Sequence, residues 1–226
     1  MTRSSRTQWS QSRRAVLESL ADELLHNYGR GRTIISVDGP TAAGKTTFSD
    51  DLADALRKKG HDVFRASIDD FLKPRADRYA QGRDSAKGRY EDAYDYSVFR
   101  RVLIEPFRMN GSTGFVTKAW DEHADRQVEP KWLSGPADAI LIVDGSYLGR
   151  PELRGLWNAS IWLDADAGVR SERMVIRDGI EPGSARAERY AGAYKLYEKA
   201  KPRDAATIIV DNTDPDAPKR IYTDSC

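Results

Sequence analysis

The octapeptide "GPTAAGKT" (residues 39–46) puts a lysine and a threonine directly behind the second of two glycines spaced five apart. Gly39-x-x-x-x-Gly44-Lys45-Thr46 carries the residue types that a polyphosphate site requires. Successive backbone N–H groups must converge on the phosphates, and bulky side chains would block that approach. The positions between the glycines are accordingly compact: Pro40, Thr41, Ala42 and Ala43. Lys45 is expected to reach the β- and γ-phosphates, and the Thr46 hydroxyl to bind Mg²⁺. Thr47 completes the nucleotide-binding set. A plain glycine-rich turn is the ordinary alternative. The motif lies between a β-branched run and a helical pattern, which favours the phosphate reading, a nucleoside-triphosphate site with Mg²⁺.

Carboxylates stand where chemistry on a γ-phosphate would need them. "RASIDDF" sets Asp69 and Asp70 just beyond a second apolar run, and "LIVDGS" ends the most apolar run of the chain on Asp144. In open α/β sheets ligands bind at the carboxyl ends of strands. An acid there can hold Mg²⁺, directly or through water, or take the proton of an attacking hydroxyl. Each acid also has an ordinary use as a helix cap or turn residue. Arg170, Arg173 and Arg177 fall at i, i+3 and i+7 and share one helix face. Arg170 reads as solvated. Arg173 and Arg177 suit a lid that shuts out water and neutralises charge during phosphoryl transfer.

The elements that must hold these residues follow from the patterning. Helical periodicity runs over 8–28, ended by "YGRG". Strands are expected at 33–38, 62–67, 139–144, 159–164 and 206–211. Helices are expected over 45–59, 97–108, 167–178 and 184–199. Residues 73–95, charged and dotted with glycine, read as a long mobile segment, 115–120 as an edge strand, and the end as a Pro-rich tail. Strands alternating with helices predict an α/β fold, a parallel sheet sandwiched between helices. The 226 residues suffice for one domain spanning 1–226, with an N-terminal helix in 1–30 and a lid with flanking helices in 165–200. That first helix either packs on the sheet or joins a dimer interface, which leaves room for a homo-oligomer.

Composition narrows the class. Lys+Arg 36 against Asp+Glu 35 nearly cancel, which argues against a general nucleic-acid binder. No apolar run approaches the ~20 residues of a membrane span, and the first 20 residues lack a secretory apolar segment. One cysteine, Cys226, has no partner for a disulfide, so a reducing cytoplasm is expected. A guanine-reading N/T-K-x-D motif is missing, since "TKAW" has Trp120 where the acid belongs.

The ordered set "GPTAAGKTTF", "ASIDDFLKPR", "YDYSVF", "LIVDGSYLGRPELR", "IWLDADAGVRSERMVIRD" and "DNTDP" resembles the uridine kinase family. That family lies in the wider group with phosphoribulokinase and pantothenate kinase, and the likeness covers roughly residues 32–218. It implies a P-loop NTPase fold with a small helical lid. It also implies phosphoryl transfer from ATP to a primary hydroxyl of a small molecule, a nucleoside such as uridine or cytidine. By the resemblance, Asp69 is the catalytic base and Lys45, Arg173 and Arg177 share in catalysis. Asp144 joins Thr46 at the metal, and Asp95 holds the acceptor's ribose hydroxyls. The base-reading element departs from the family's Tyr-Asp pattern: "AWDEHADR" has Trp120 and Asp121, with the histidine displaced to His123. These three are the candidates for base contact, His123 also reading as a surface residue of a charged loop. "DNTDP" reads either as a loop beside the adenine or as an Asx-Pro turn. Other acceptors (pantothenate, nicotinamide riboside, a sugar) and a regulatory module without turnover are the alternatives.

Overall fold

The computed structural model describes residues 8–111 and 113–222; Cys226 lies outside them. Six strands form the main sheet: β1 (Thr33–Asp38), β2 (Val63–Ser67), β3 (Ile140–Asp144), β4 (Ala159–Asp164), β5 (Ile208–Asp211) and β6 (Lys219–Ile221). Their spatial order is β6-β5-β4-β1-β3-β2, parallel except for the antiparallel β6. The chain thus builds β2 and β3 on one side of β1 and then crosses to β4 and β5 on the other, and a crevice opens at the carboxyl end of β1.

Alternation along β1 explains why the sheet must be covered twice. Ile34 packs into one apolar cluster and Ile35 and Val37 into the other. The Ile35 face is covered by α1 (Gln11–Tyr28), through Leu17, Leu20 and Leu24, and by α2 (Lys45–Lys58), through Phe48, Leu52 and Leu56. The Ile34 face carries Phe71, Phe99, Leu103 and Phe107. Most of these come from the helical run 96–109, whose middle, Arg100–Ile104, is π-helical. The N-terminal helix packs on the sheet side through α2, the first of the two arrangements expected for it.

Residues 73–95 depart from the expected mobile segment. They hold a helical turn, Arg75–Arg78, and the helix α3 (Ala86–Asp92), capped by the Ser85 hydroxyl at Gly88 N. The buried Arg78 is clasped by Glu122 at 3.4 Å and Asp125 at 3.3 Å. Two more helices follow β4: α4 (Ala167–Asp178) and α5 (Ala185–Glu198). Helix α3 lies so close to α5 that a Cβ at Gly192 would come within 2.7 Å of the Ala86 Cβ. Long-range contacts, which local composition does not reveal, order the segment. The expected edge strand at 115–120 is instead two short pairings outside the main sheet, Phe115–Val116 with Trp132–Leu133 and Trp120–Asp121 with Arg126–Gln127. The tail contributes β6, a three-residue edge strand the sequence pattern does not reveal. Among the described residues no helix is long and apolar enough to cross a membrane.

Candidate active site

The register sets the acids at one level. Ser67 pairs with Asp144, and Asp144 with Val37, so the ends of β2, β3 and β1 form one row facing the phosphate loop. Gly39 and Gly44 have φ of 149° and 91°. A Cβ on Gly39 would lie 2.3 Å from the Leu163 carbonyl oxygen, so the turn tolerates no side chain there. Gly44 caps α2 without a side-chain hydrogen bond, which leaves the first amides of that helix open to an anion. Lys45 Nζ donates to the carbonyls of Gly39 and Pro40, both at 2.9 Å, curling over the loop. Burial pulls the Lys45 pKa down, opposed by the nearby carboxylates of Asp38, Asp69 and Asp144.

Thr46 Oγ1 donates to Asp144 Oδ2 at 2.6 Å, while Arg65 Nη2 holds Asp144 Oδ1 at 2.7 Å. A hydroxyl and a carboxylate oxygen side by side on the cavity wall are hard donors of the kind Mg²⁺ takes, with water completing its shell. The residues expected to hold the metal therefore fit it.

Asp69 sits on the short 3₁₀ turn Ile68–Phe71, whose start is capped by the Ser67 hydroxyl. Its neighbour Asp70 is committed to Lys118 at 2.9 Å. Asp69 meets solvent through the mouth of the cleft, yet the walls around it displace bulk water, and this desolvation raises its pKa. The Tyr94 hydroxyl donates to Asp69 Oδ1 at 2.8 Å and pulls the other way. Removing that hydroxyl in Tyr94→Phe leaves burial less opposed. The acid limb of kcat/KM is then expected to move to higher pH, read from initial rates across a pH series. A limb that stays put would separate Asp69 from that ionisation.

A phosphate cavity of ≈ 160 Å³ is bordered by Lys45, Thr46, Asp69, Asp144 and Arg177. A larger cavity of ≈ 620 Å³ adjoins it, and Asp69, Arg89 and Tyr190 border both. Arg89 lies 3.7 Å from the centre of the Tyr190 ring. Burial opposes the charge on Arg89, but Tyr190, Tyr147, Tyr94 and Asp69 outweigh it and hold the guanidinium above its ordinary pKa. The sequence reading missed Arg89, Tyr94 and Tyr190. "GRYEDAYD" already carried the signal of aromatic and basic residues beside acids.

The two arginines expected on a lid separate. Arg177 borders the phosphate cavity and pairs with Asp178 at 2.7 Å. Arg173 instead bridges carbonyls, those of Ala42 at 3.3 Å, Asn212 at 3.2 Å and Thr213 at 2.7 Å, tying the phosphate loop to the loop after β5. That bridge borders a third cavity of ≈ 280 Å³ with Arg13, Ile176 and Pro215, beside the loop expected to meet adenine.

The expected acceptor contacts do not border either cavity that Asp69 borders. The Asp95 carboxylate caps the helical run at Val98 N, 2.9 Å away. With Trp120 it borders a separate cavity of ≈ 470 Å³. Asp121 closes a turn by accepting from His123 N and Ala124 N, which lowers its pKa, and His123 is exposed. The "DEHAD" turn thus uses the Asp121 carboxylate on its own backbone.

Buried Asp38 anchors the loop from behind, accepting from Gly39 N at 2.7 Å, Gly149 N at 2.8 Å and the Tyr197 hydroxyl. Burial raises its pKa despite these donors.

Comparison with known proteins bears on the family and the fold. The family model described as the phosphoribulokinase/uridine kinase family matches residues 34–209. Uridine-cytidine kinase B of Dictyostelium discoideum is 27% identical over 74% of this chain and 65% of its own length. A uridine kinase of Lactobacillus johnsonii is 26% identical over 66% of this chain and 69% of its own. The chain thus spans about two thirds of these relatives. Among solved structures, a possible uridine kinase from Bacillus stearothermophilus superposes with a TM-score of 0.69 at 21% identity, covering 87% of this chain and 97% of that one. A D-glycerate 3-kinase from Cryptococcus neoformans gives 0.57 at 12% identity, over 92% and 99%. At these identities the structures speak to the fold.

Proposed function

The chain belongs to the phosphoribulokinase/uridine kinase family, and we propose that it is an ATP-dependent kinase acting on a hydroxyl of a small molecule. One observation carries this reading. Asp69 borders both the phosphate cavity and the larger one beside it, so an acid poised for proton transfer stands between two binding spaces. The acceptor occupies the larger cavity and gives its hydroxyl proton to an Asp69 oxygen as the oxygen attacks the γ-phosphorus. The bond to the β,γ-bridging oxygen breaks, and ADP leaves. Lys45 and Arg177 offset charge on the transferring group, and the amides opening α2 hold the phosphates. Thr46 and Asp144 would hold a magnesium ion, which when bound neutralises charge on the β- and γ-phosphates. Helices α4 and α5, within the 165–200 lid, wall the site on one side.

The names carried by the curated relatives put nucleosides first among acceptors to test. The test is acceptor-dependent ADP release from Mg·ATP across uridine, cytidine, other nucleosides, pantothenate, nicotinamide riboside and simple sugars, with products weighed by mass spectrometry. Release that rises with one acceptor, with a product heavier by one phosphoryl group, is the expected result. ATP binding without acceptor-dependent release, across this panel and the charged compounds below, would refute the kinase and leave a nucleotide-binding regulatory module.

A further inference from the structure

The cavity on the acceptor side of Asp69 is more basic than a neutral sugar or base requires. Arg78, Arg83, Arg89, Arg186 and Arg189 all border its ≈ 620 Å³. The acids on its wall are Asp69, Asp84 and Glu122. Glu122 is engaged by Arg78, which also pairs with Asp125. Among the described residues, Arg83, Arg89, Arg186 and Arg189 have no carboxylate ion pair. The Nε atoms of Arg78, Arg89 and Arg189 are buried without a hydrogen-bond partner. Arg89 and Arg189 are steered by Tyr190, at 3.7 Å and 5.5 Å from its ring centre, and Arg189 Nη1 is fixed on the Arg83 carbonyl at 2.6 Å.

Guanidinium groups gathered around one space repel one another unless an anion sits among them. Their planar forks match carboxylate and phosphate oxygens. Of the four without a carboxylate partner, only Arg89 also borders the phosphate cavity. The others hold positive charge away from the reacting phosphate, where a second negative group would otherwise be repelled by ATP. We propose that the acceptor is itself an anion: a small hydroxyl compound bearing a phosphate or carboxylate group, which Arg83, Arg186 and Arg189 hold while its hydroxyl meets Asp69. This rests on the kinase reading and names its substrate class.

Matched pairs of acceptors test it: ribose with ribose 5-phosphate, uridine with uridine 3′-phosphate, and glycerol with both glycerol 3-phosphate and glycerate. ADP release is measured for each with the wild-type protein and with the double variant Arg83→Gln/Arg186→Gln, two exposed positions where folding is not at stake. The charged member of at least one pair should exceed its neutral partner in kcat/KM by about tenfold or more. The phosphate and carboxylate arms tell the two sources apart. The double variant should lose most of that preference through KM, while ATP affinity stays unchanged. A neutral member that wins every pair, or a preference the double variant leaves intact, overturns the proposal. Should neither these pairs nor the first panel turn over, the kinase reading fails by itself and binding decides. Inorganic phosphate or acetate must then raise the Tm of the ADP-saturated protein above an equal ionic strength of chloride, and the increment must vanish in the double variant. Equal Tm values would overturn the anion site.

Discussion

Asp69→Asn is expected to lower kcat by about 10²–10⁴-fold while ATP binding survives. The substitution keeps the shape and leaves an amide oxygen to accept from the Tyr94 hydroxyl. Among the described residues it removes the one carboxylate that borders both cavities, the group proposed to take the acceptor's proton. The sign of the stability change separates lost chemistry from lost folding. Desolvation raises the Asp69 pKa in the folded protein, so its ionised form costs stability at neutral pH. That cost is missing below the unfolded pKa and develops as pH rises through the folded one. Asparagine carries no such cost, so the variant should melt no lower than wild type at pH 7, and its advantage should shrink as pH falls. Steady-state rates, ATP titration and melting across pH check all three. A variant with wild-type kcat would remove Asp69 from the mechanism.

Arg13→Ala is expected to destabilise the protein by about 3–5 kcal/mol, because it strands a buried carboxylate. Arg13 is 0% exposed and meets Asp51 Oδ2 through Nε and Nη2, each at 2.7 Å. Its Nη1 donates to the Pro215 carbonyl and to Asn212 Oδ1. Asn212 in turn donates from Nδ2 to the Ala43 carbonyl at 2.8 Å. The first helix is thereby tied to the phosphate loop, so the KM for ATP should rise as well. The Tm drop should be on the order of 10 °C for a chain of this size. Replacing both partners, Arg13→Met with Asp51→Leu, should recover much of the loss, because no charge is left buried alone. Denaturation of the two singles and the double forms the cycle. Strictly additive losses would show that the pair is not coupled.

What the sequence made legible follows from where the information lies. The strands of the sheet and the phosphate loop are local features. "TIISVD" and "AILIVD" need only their own apolar residues, and the glycines need only their own backbone. Helix α4 is bounded as expected because Asp166 caps its first amides and Gly179 closes it in the left-handed region at φ 61°. The proposed acceptor cavity is different. Its walls come from 78–94 and 184–190, and Arg78 and Gly192 hold them together through partners at 122–125 and 86. Such a wall reads locally as a charged loop and a tyrosine stripe. Of the candidates taken from family spacing, Asp95 and Trp120 border the cavity on the other side of Leu72, which borders both larger cavities, and Asp121 and His123 border neither.

Because Asp69, Arg89 and Tyr190 are a shared wall, the phosphate cavity and the proposed acceptor cavity are separate spaces side by side. On the proposed kinase reading both ligands have room at once, so transfer is expected to pass through a ternary complex and not through a phosphorylated side chain. The same wall makes the site divalent. A single molecule carrying nucleotide and acceptor portions joined across the Asp69 gap would engage both halves at once, and its affinity would exceed that of either fragment through effective concentration alone.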